Sequence, residues 1–120
     1  VSGGRMHEIG LCESILAAVR QRAEGRAVDR LKVRIGVRHG VAEPALRDGF
    51  ALVATGTTAD GAQIELVTVP ARVVCGGCGH EGETLALPAI CGECGSARVT
   101  VSGGDDLILE ELHLIDRAVR

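Results

Sequence analysis

Two short cysteine pairs constrain this chain more than any other feature. "CGGC" occupies residues 75–78 and "CGEC" residues 91–94, with twelve residues between them. Together they present four thiolates to one ion, and tetrahedral sulfur ligation favours zinc. Glycines inside each pair permit the tight knuckle turn in which backbone N–H groups point at sulfur. Gly79 and Gly95 follow the pairs, as such turns often require. Cys75, Cys78, Cys91 and Cys94 are therefore the expected zinc ligands. Iron remains open, because four cysteines hold it in the same geometry. A thioredoxin-type redox pair needs only one Cys-x-x-Cys in a different context and fits poorly. Four thiolates leave no open coordination position, so the site reads as structural and not catalytic. The segment is too short to form its own core, so the metal would supply its folding energy.

The rest of the composition narrows the class. Five cysteines, four of them clustered, fit metal binding in a reducing, cytoplasmic compartment better than a disulfide framework. The fifth, Cys12, falls on a helical apolar stripe and reads as a small buried hydrophobe. A length of 120 residues suits one compact domain with a small appended module. No apolar run approaches the roughly 20 residues of a spanning helix. Val1–Arg5 is too short, and the helix behind it too charged, for a signal peptide. There is one Phe and no Trp or Tyr, so the core must be Leu, Ile, Val and Ala around Phe50. Lack of aromatics and a net charge of -3 both argue against nucleic acid as a partner.

Periodicity supplies the element order. His7 to about Glu24 reads as a helix, with Ile9, Cys12, Leu16, Val19 and Ala23 at three- and four-residue steps. "RLKVRIGVR" alternates strictly and reads as a half-buried strand, followed by a loop at His39-Gly40. Pro44 behind Glu43 marks a second helix, with Leu46, Phe50, Val53 and Ala54 on one face. "AQIELVTVPARVV" is extended, its apolar phase slips between Leu66 and Val67, and a bulge is expected there. Pro70 suggests an edge or the end of pairing. The cysteine module follows, and "LILEELHLI" at 107–115 is a final strand.

Four histidines are present. His39, His80 and His113 read as a turn residue, a neighbour of the first knuckle and a sheet-surface residue. His7 and Glu8 alone would be an ordinary polar helix entrance, since a carboxylate there complements the helix dipole. The wider pattern changes that. "MHEIGLCESIL", "VRIGVRHGVAEPALRDGF", "IELVTVPARVVCGGCGHE" and "CGECGS" together resemble the HypA/HybF family of nickel metallochaperones for NiFe-hydrogenase maturation. The resemblance runs from Met6 to about Ile115.

That resemblance implies an α+β fold: two helices on a small mixed three-stranded β-sheet, with an inserted four-cysteine zinc-ribbon module. It divides the chain into a nickel-binding α/β domain (6–70 and 104–116) and a zinc-binding, rubredoxin-like domain (71–103). It implies that Met6, His7 and Glu8 form a planar nickel(II) site from the Met amine, the His and Glu backbone amides and the His imidazole. Imidazole suits nickel, and consecutive backbone nitrogens make small chelate rings around one ion. Amide deprotonation makes such a site sensitive to acid. Here Met6 follows Val1–Arg5, an extension read as a tag remnant or a mis-assigned start; with it attached, Met6 offers an amide nitrogen in place of an amine.

Zinc is then a structural cofactor and nickel a transferred cargo. The implied partners are a nickel-handling GTPase and the hydrogenase large-subunit precursor, with urease accessory proteins a further possibility, and the chain acts as a monomer or homodimer. No residue is assigned a catalytic role: no nucleophile–base pair, phosphate loop or open metal site is recognisable. The competing reading is a zinc-ribbon module that binds protein or nucleic acid without handling nickel.

Overall fold

A computed structural model describes residues 3–115, with side chains from Glu8 onward. The order is α1 (Gly3–Ala23), β1 (Ala27–Gly36), a 3-10 turn (Val37–His39), α2 (Glu43–Ala54), β2 (Gln63–Val69), β3 (Ala71–Cys75), β4 (Glu81–Thr84), β5 (Val99–Ser102) and β6 (Leu107–Ile115). Strands β2-β1-β6 form a mixed three-stranded sheet, and β4-β3-β5 a second sheet. The chain divides into two compact units. One holds the described residues of Val1–Val33, Val41–Leu66 and Leu109–Arg120; the other holds Arg34–Gly40 and Val67–Ile108.

The first unit is built on helical and strand periodicity. Leu11, Cys12, Ile15, Leu16, Val19 and Ala23 of α1 are buried, and Leu46, Phe50 and Ala54 of α2 are buried with them. The strands contribute Val28, Leu31, Val33, Ile64 and Leu66. The single aromatic, Phe50, is 1% exposed, as expected of the largest side chain available to this core. The two helices approach closely at Gly49, where a Cβ would stand 2.9 Å from Cys12 Sγ. Pro44 occupies the first turn of α2, where its missing N–H costs nothing, and Glu43 beside it suits the helix dipole.

The second unit is sulfur-centred. β3 runs antiparallel to both neighbours, with Val73 opposite Gly82 on β4 and Val101 on β5. Among its described residues 67–108, the buried apolar side chains are only Ala71, Val73, Cys75 and Cys91.

Several boundaries differ from the sequence reading. α1 begins at Gly3 and not at His7. β1 ends at Gly36, short of Arg38. Gly40 takes a left-handed conformation (φ 65) and donates its N–H to Val37 O at 3.0 Å, closing a turn over Val37–His39. The extended run after Ala62 is divided at Pro70, which has no N–H to pair, and its two halves join different sheets. β4 and β5 inside the cysteine module were not anticipated; each has four residues with little apolar burial.

Candidate metal centre

The four knuckle sulfurs converge. Single ligand atoms of Cys75, Cys78, Cys91 and Cys94 all lie within 4.8 Å of one another. The Cys75–Cys94 and Cys78–Cys91 Sγ pairs stand 3.6 Å apart. A tetrahedron of sulfurs about 2.3 Å from a central zinc has an edge of about 3.8 Å, so the observed spacing suits such an ion.

The two knuckles repeat one local design. Cys75 Sγ accepts the amides of Gly77 (3.2 Å) and Cys78 (3.4 Å), and Cys91 Sγ accepts those of Glu93 (3.3 Å) and Cys94 (3.4 Å). Gly79 N–H returns to Cys75 O at 3.0 Å, and Gly95 N–H to Cys91 O at 2.9 Å. Both glycines sit at positive φ (79° and 75°), a region costly for residues with a Cβ. Cys75 N–H donates to His80 O at 2.9 Å, and Cys91 N–H to Ser96 O at 2.8 Å. The first cysteine of each knuckle is 3% exposed and the second is exposed.

The amides make the thiols unequal. The Cys78 and Gly77 amides draw the Cys75 pKa down to about 6, and the Cys94 and Glu93 amides lower that of Cys91. At Cys78 the His80 amide favours the thiolate, yet the neighbouring Cys91 sulfur and burial outweigh it and push the pKa up to about 12. At Cys94 the Ser96 amide is likewise outweighed, chiefly by Cys75. One sulfur per knuckle is thus poised to ionise while its companion resists, as expected when like charges crowd together. A divalent cation at the centre would remove that conflict and let all four ionise. The donor set therefore fits a tetrahedral thiophilic ion with no open position, a structural arrangement.

At the other end of the sequence, Met6, His7 and Glu8 lie on the α1 backbone. The Met6 and His7 side chains fall outside the described residues. Glu8 is half-buried, and its Oε2 accepts the Ala42 amide at 3.4 Å. Ala42 is the N-cap of α2 and supplies no side-chain cap of its own, so Glu8 serves α2 from a neighbouring helix. No local sequence signal announces a cap offered across 34 residues.

The other histidines and the fifth cysteine are also placed. His39 Nε2 lies 3.0 Å from Asp105 O. His80 serves the knuckle through its backbone, and His113 is an exposed strand residue. Cys12 is fully buried against Leu46 O at 3.4 Å; burial, with Glu8 and Glu13 nearby, raises its pKa to about 11. It lies outside the sulfur cluster and behaves as a core residue.

Residues 6–114 match the family profile described as hydrogenase/urease nickel incorporation, metallochaperone, HypA. Hydrogenase maturation factor HypA of Rhodobacter capsulatus is 35% identical over 113 residues, covering 92% of this chain and all of that protein. Hydrogenase maturation factor HybF of Morganella morganii is 33% identical over 110 residues, covering 89% and 97%. The solution structure of the Ni metallochaperone HypA from Helicobacter pylori superposes with a TM-score of 0.60 at 21% identity, covering 90% of this chain and 97% of that one. That likeness speaks to the fold, and the sequence matches speak to descent. On these grounds the chain belongs to the HypA/HybF family of metallochaperones for nickel incorporation in hydrogenase and urease maturation.

Proposed function

We propose that this chain binds nickel(II) near Met6-His7-Glu8 and passes it on during NiFe-hydrogenase maturation, while Cys75, Cys78, Cys91 and Cys94 hold a structural zinc. Family membership over nearly the whole chain carries this reading. Zinc is favoured over iron because the module needs a closed, redox-silent crosslink, which four-coordinate zinc supplies. In this reading the nickel-handling domain is 6–70 with 104–116, and the zinc domain is 71–103.

His7 offers the imidazole and neighbouring backbone nitrogens complete a planar site. The helical backbone qualifies how this occurs. Past the first turn of α1, N–H groups donate to carbonyls four residues earlier, and His7 and Glu8 lie past it. The His7 and Glu8 amides can meet a planar ion only when the first turns of α1 open. Loading and release then become a local folding event, which suits a cargo that must leave. Opening as far as Glu8 would also draw on the bond its carboxylate accepts from the Ala42 amide. The partners in this reading are a nickel-handling GTPase and the hydrogenase large-subunit precursor, with urease accessory proteins as further recipients; the chain carries cargo and performs no catalysis.

Titration of nickel into zinc-loaded protein, with and without His7→Ala, tests the assignment. The variant should lose nickel binding and keep its zinc. Unchanged nickel affinity would remove His7 from the site.

A further inference from the structure

Among the described residues, the three-stranded sheet ends in two strands with one neighbour each, β2 on one side and β6 on the other. Free edges of this kind invite pairing with another chain. β6 is the more exposed to that hazard. "LILEELHLI" has nine residues, no proline and no lysine, and its Leu, Ile and Glu side chains are half-buried or exposed. The common defences, edge lysine or proline, are absent from it.

Both edges instead carry an arginine sent from a helix. Arg22, in the last turn of α1, donates Nη1 to Leu109 O of β6 at 2.5 Å. Arg47, on α2, donates Nη1 to Ile64 O of β2. The direction of the Leu109 carbonyl follows from the register. Gly36 N–H donates to Asp106 O and Arg38 N–H to Gly104 O, both at 2.8 Å, so the even-numbered carbonyls of this segment face β1. Strand alternation then turns Leu109 toward the open edge. Arg47 is itself braced by Glu43 at 3.7 Å, one helical turn away.

We infer that Arg22 and Arg47 guard the two free edges of the sheet, each occupying a carbonyl that a strand from a second copy of this chain would need. One guanidinium per edge suffices because a single filled position interrupts the hydrogen-bond ladder, and the charged head makes a strand approaching across it desolvate an ion. This inference is independent of the nickel assignment.

The test uses Arg22→Met and Arg47→Met, singly and together. Methionine keeps a long stem against the fold and removes the donors. Arg22→Lys and Arg47→Lys keep a charged donor, and Arg30→Met serves as a control on a cation outside the edge bonds. Sedimentation across a wide concentration range reads association, and hydrogen exchange of the β2 and β6 amides locates it. Wild type, both Lys variants and the control should remain monomeric. The double Met variant should shift toward twice the monomer mass, with slowed exchange confined to the β2 or β6 amides. A folded double Met variant that stays monomeric over the same range would overturn the inference. So would a wild-type dimer already protected along β2 or β6, or association that leaves both edges exchanging freely. Should the double variant lose its fold, the single variants carry the same comparison, one edge at a time.

Discussion

Replacing Cys91 with serine should unfold the cysteine-bearing sheet, residues 71–102, and spare the core around Phe50. Among the described residues 67–108 the buried apolar side chains are Ala71, Val73, Cys75 and Cys91, and two of these are the sulfurs themselves. Burying Val73 contributes about 1.5–3 kcal/mol, and Ala71 less. A structural zinc in a small module supplies about 10–16 kcal/mol, several times the largest apolar contribution here. Cys91→Ser removes one ligand and weakens the sulfur acceptor for the Glu93 and Cys94 amides. The first unit has its own core around Phe50, Leu31, Leu46 and Val19, and the four cluster cysteines lie outside it. Hydrogen exchange read by mass spectrometry is the assay. Peptides spanning 71–102 should exchange at near-unfolded rates in Cys91→Ser, or in wild type stripped by a strong chelator, while those from α1 and α2 keep most of their protection. Persistent protection at Val73 and Cys75 in metal-free protein would refute the reasoning.

Two further substitutions probe the helix pair. Gly49→Ala places a methyl 2.9 Å from Cys12 Sγ and should cost about 1–3 kcal/mol in denaturant unfolding, much of it recovered by adding Cys12→Ala; a cost unaffected by the second change would deny the contact. Cys12 also predicts an alkaline limb. Its folded-state pKa, about 11, lies above the ordinary 9.0, so the folded state favours the neutral thiol. That contribution is whole below pH 9 and is lost as pH rises toward 11, so wild type should lose stability over this window more steeply than Cys12→Ala. Parallel losses in the two proteins would contradict it.

Sequence carried the metal centre further than it carried the sheet around it. Four cysteines at knuckle spacing, each pair followed by a glycine, specify chemistry and local turn together, so Cys75, Cys78, Cys91 and Cys94 could be named before any fold. α2 was equally legible, because Pro44 fixes its first turn and Phe50 its buried face. β4 and β5 were not: Glu81–Thr84 has no apolar residue to alternate, and Val99–Ser102 alternates over only four residues. The end of β1 was missed for a related reason: Val37 continues the alternation, and only the left-handed Gly40 turns the chain. The cap from Glu8 to Ala42 joins residues far apart in sequence, and neither type announces the other. The assignment of His7 rests on its company with the distant cysteines, because a histidine at a helix entrance is by itself unremarkable.

Metal analysis after loading with both ions, on wild type and His7→Ala, tests the central claim most directly. The account predicts one zinc and one nickel per wild-type chain, with the nickel lost first on mild acidification as the backbone and imidazole nitrogens regain protons. His7→Ala should retain the zinc and take up no nickel. Equal nickel content in the two proteins, or nickel that enters only by displacing zinc from the cysteines, would contradict it.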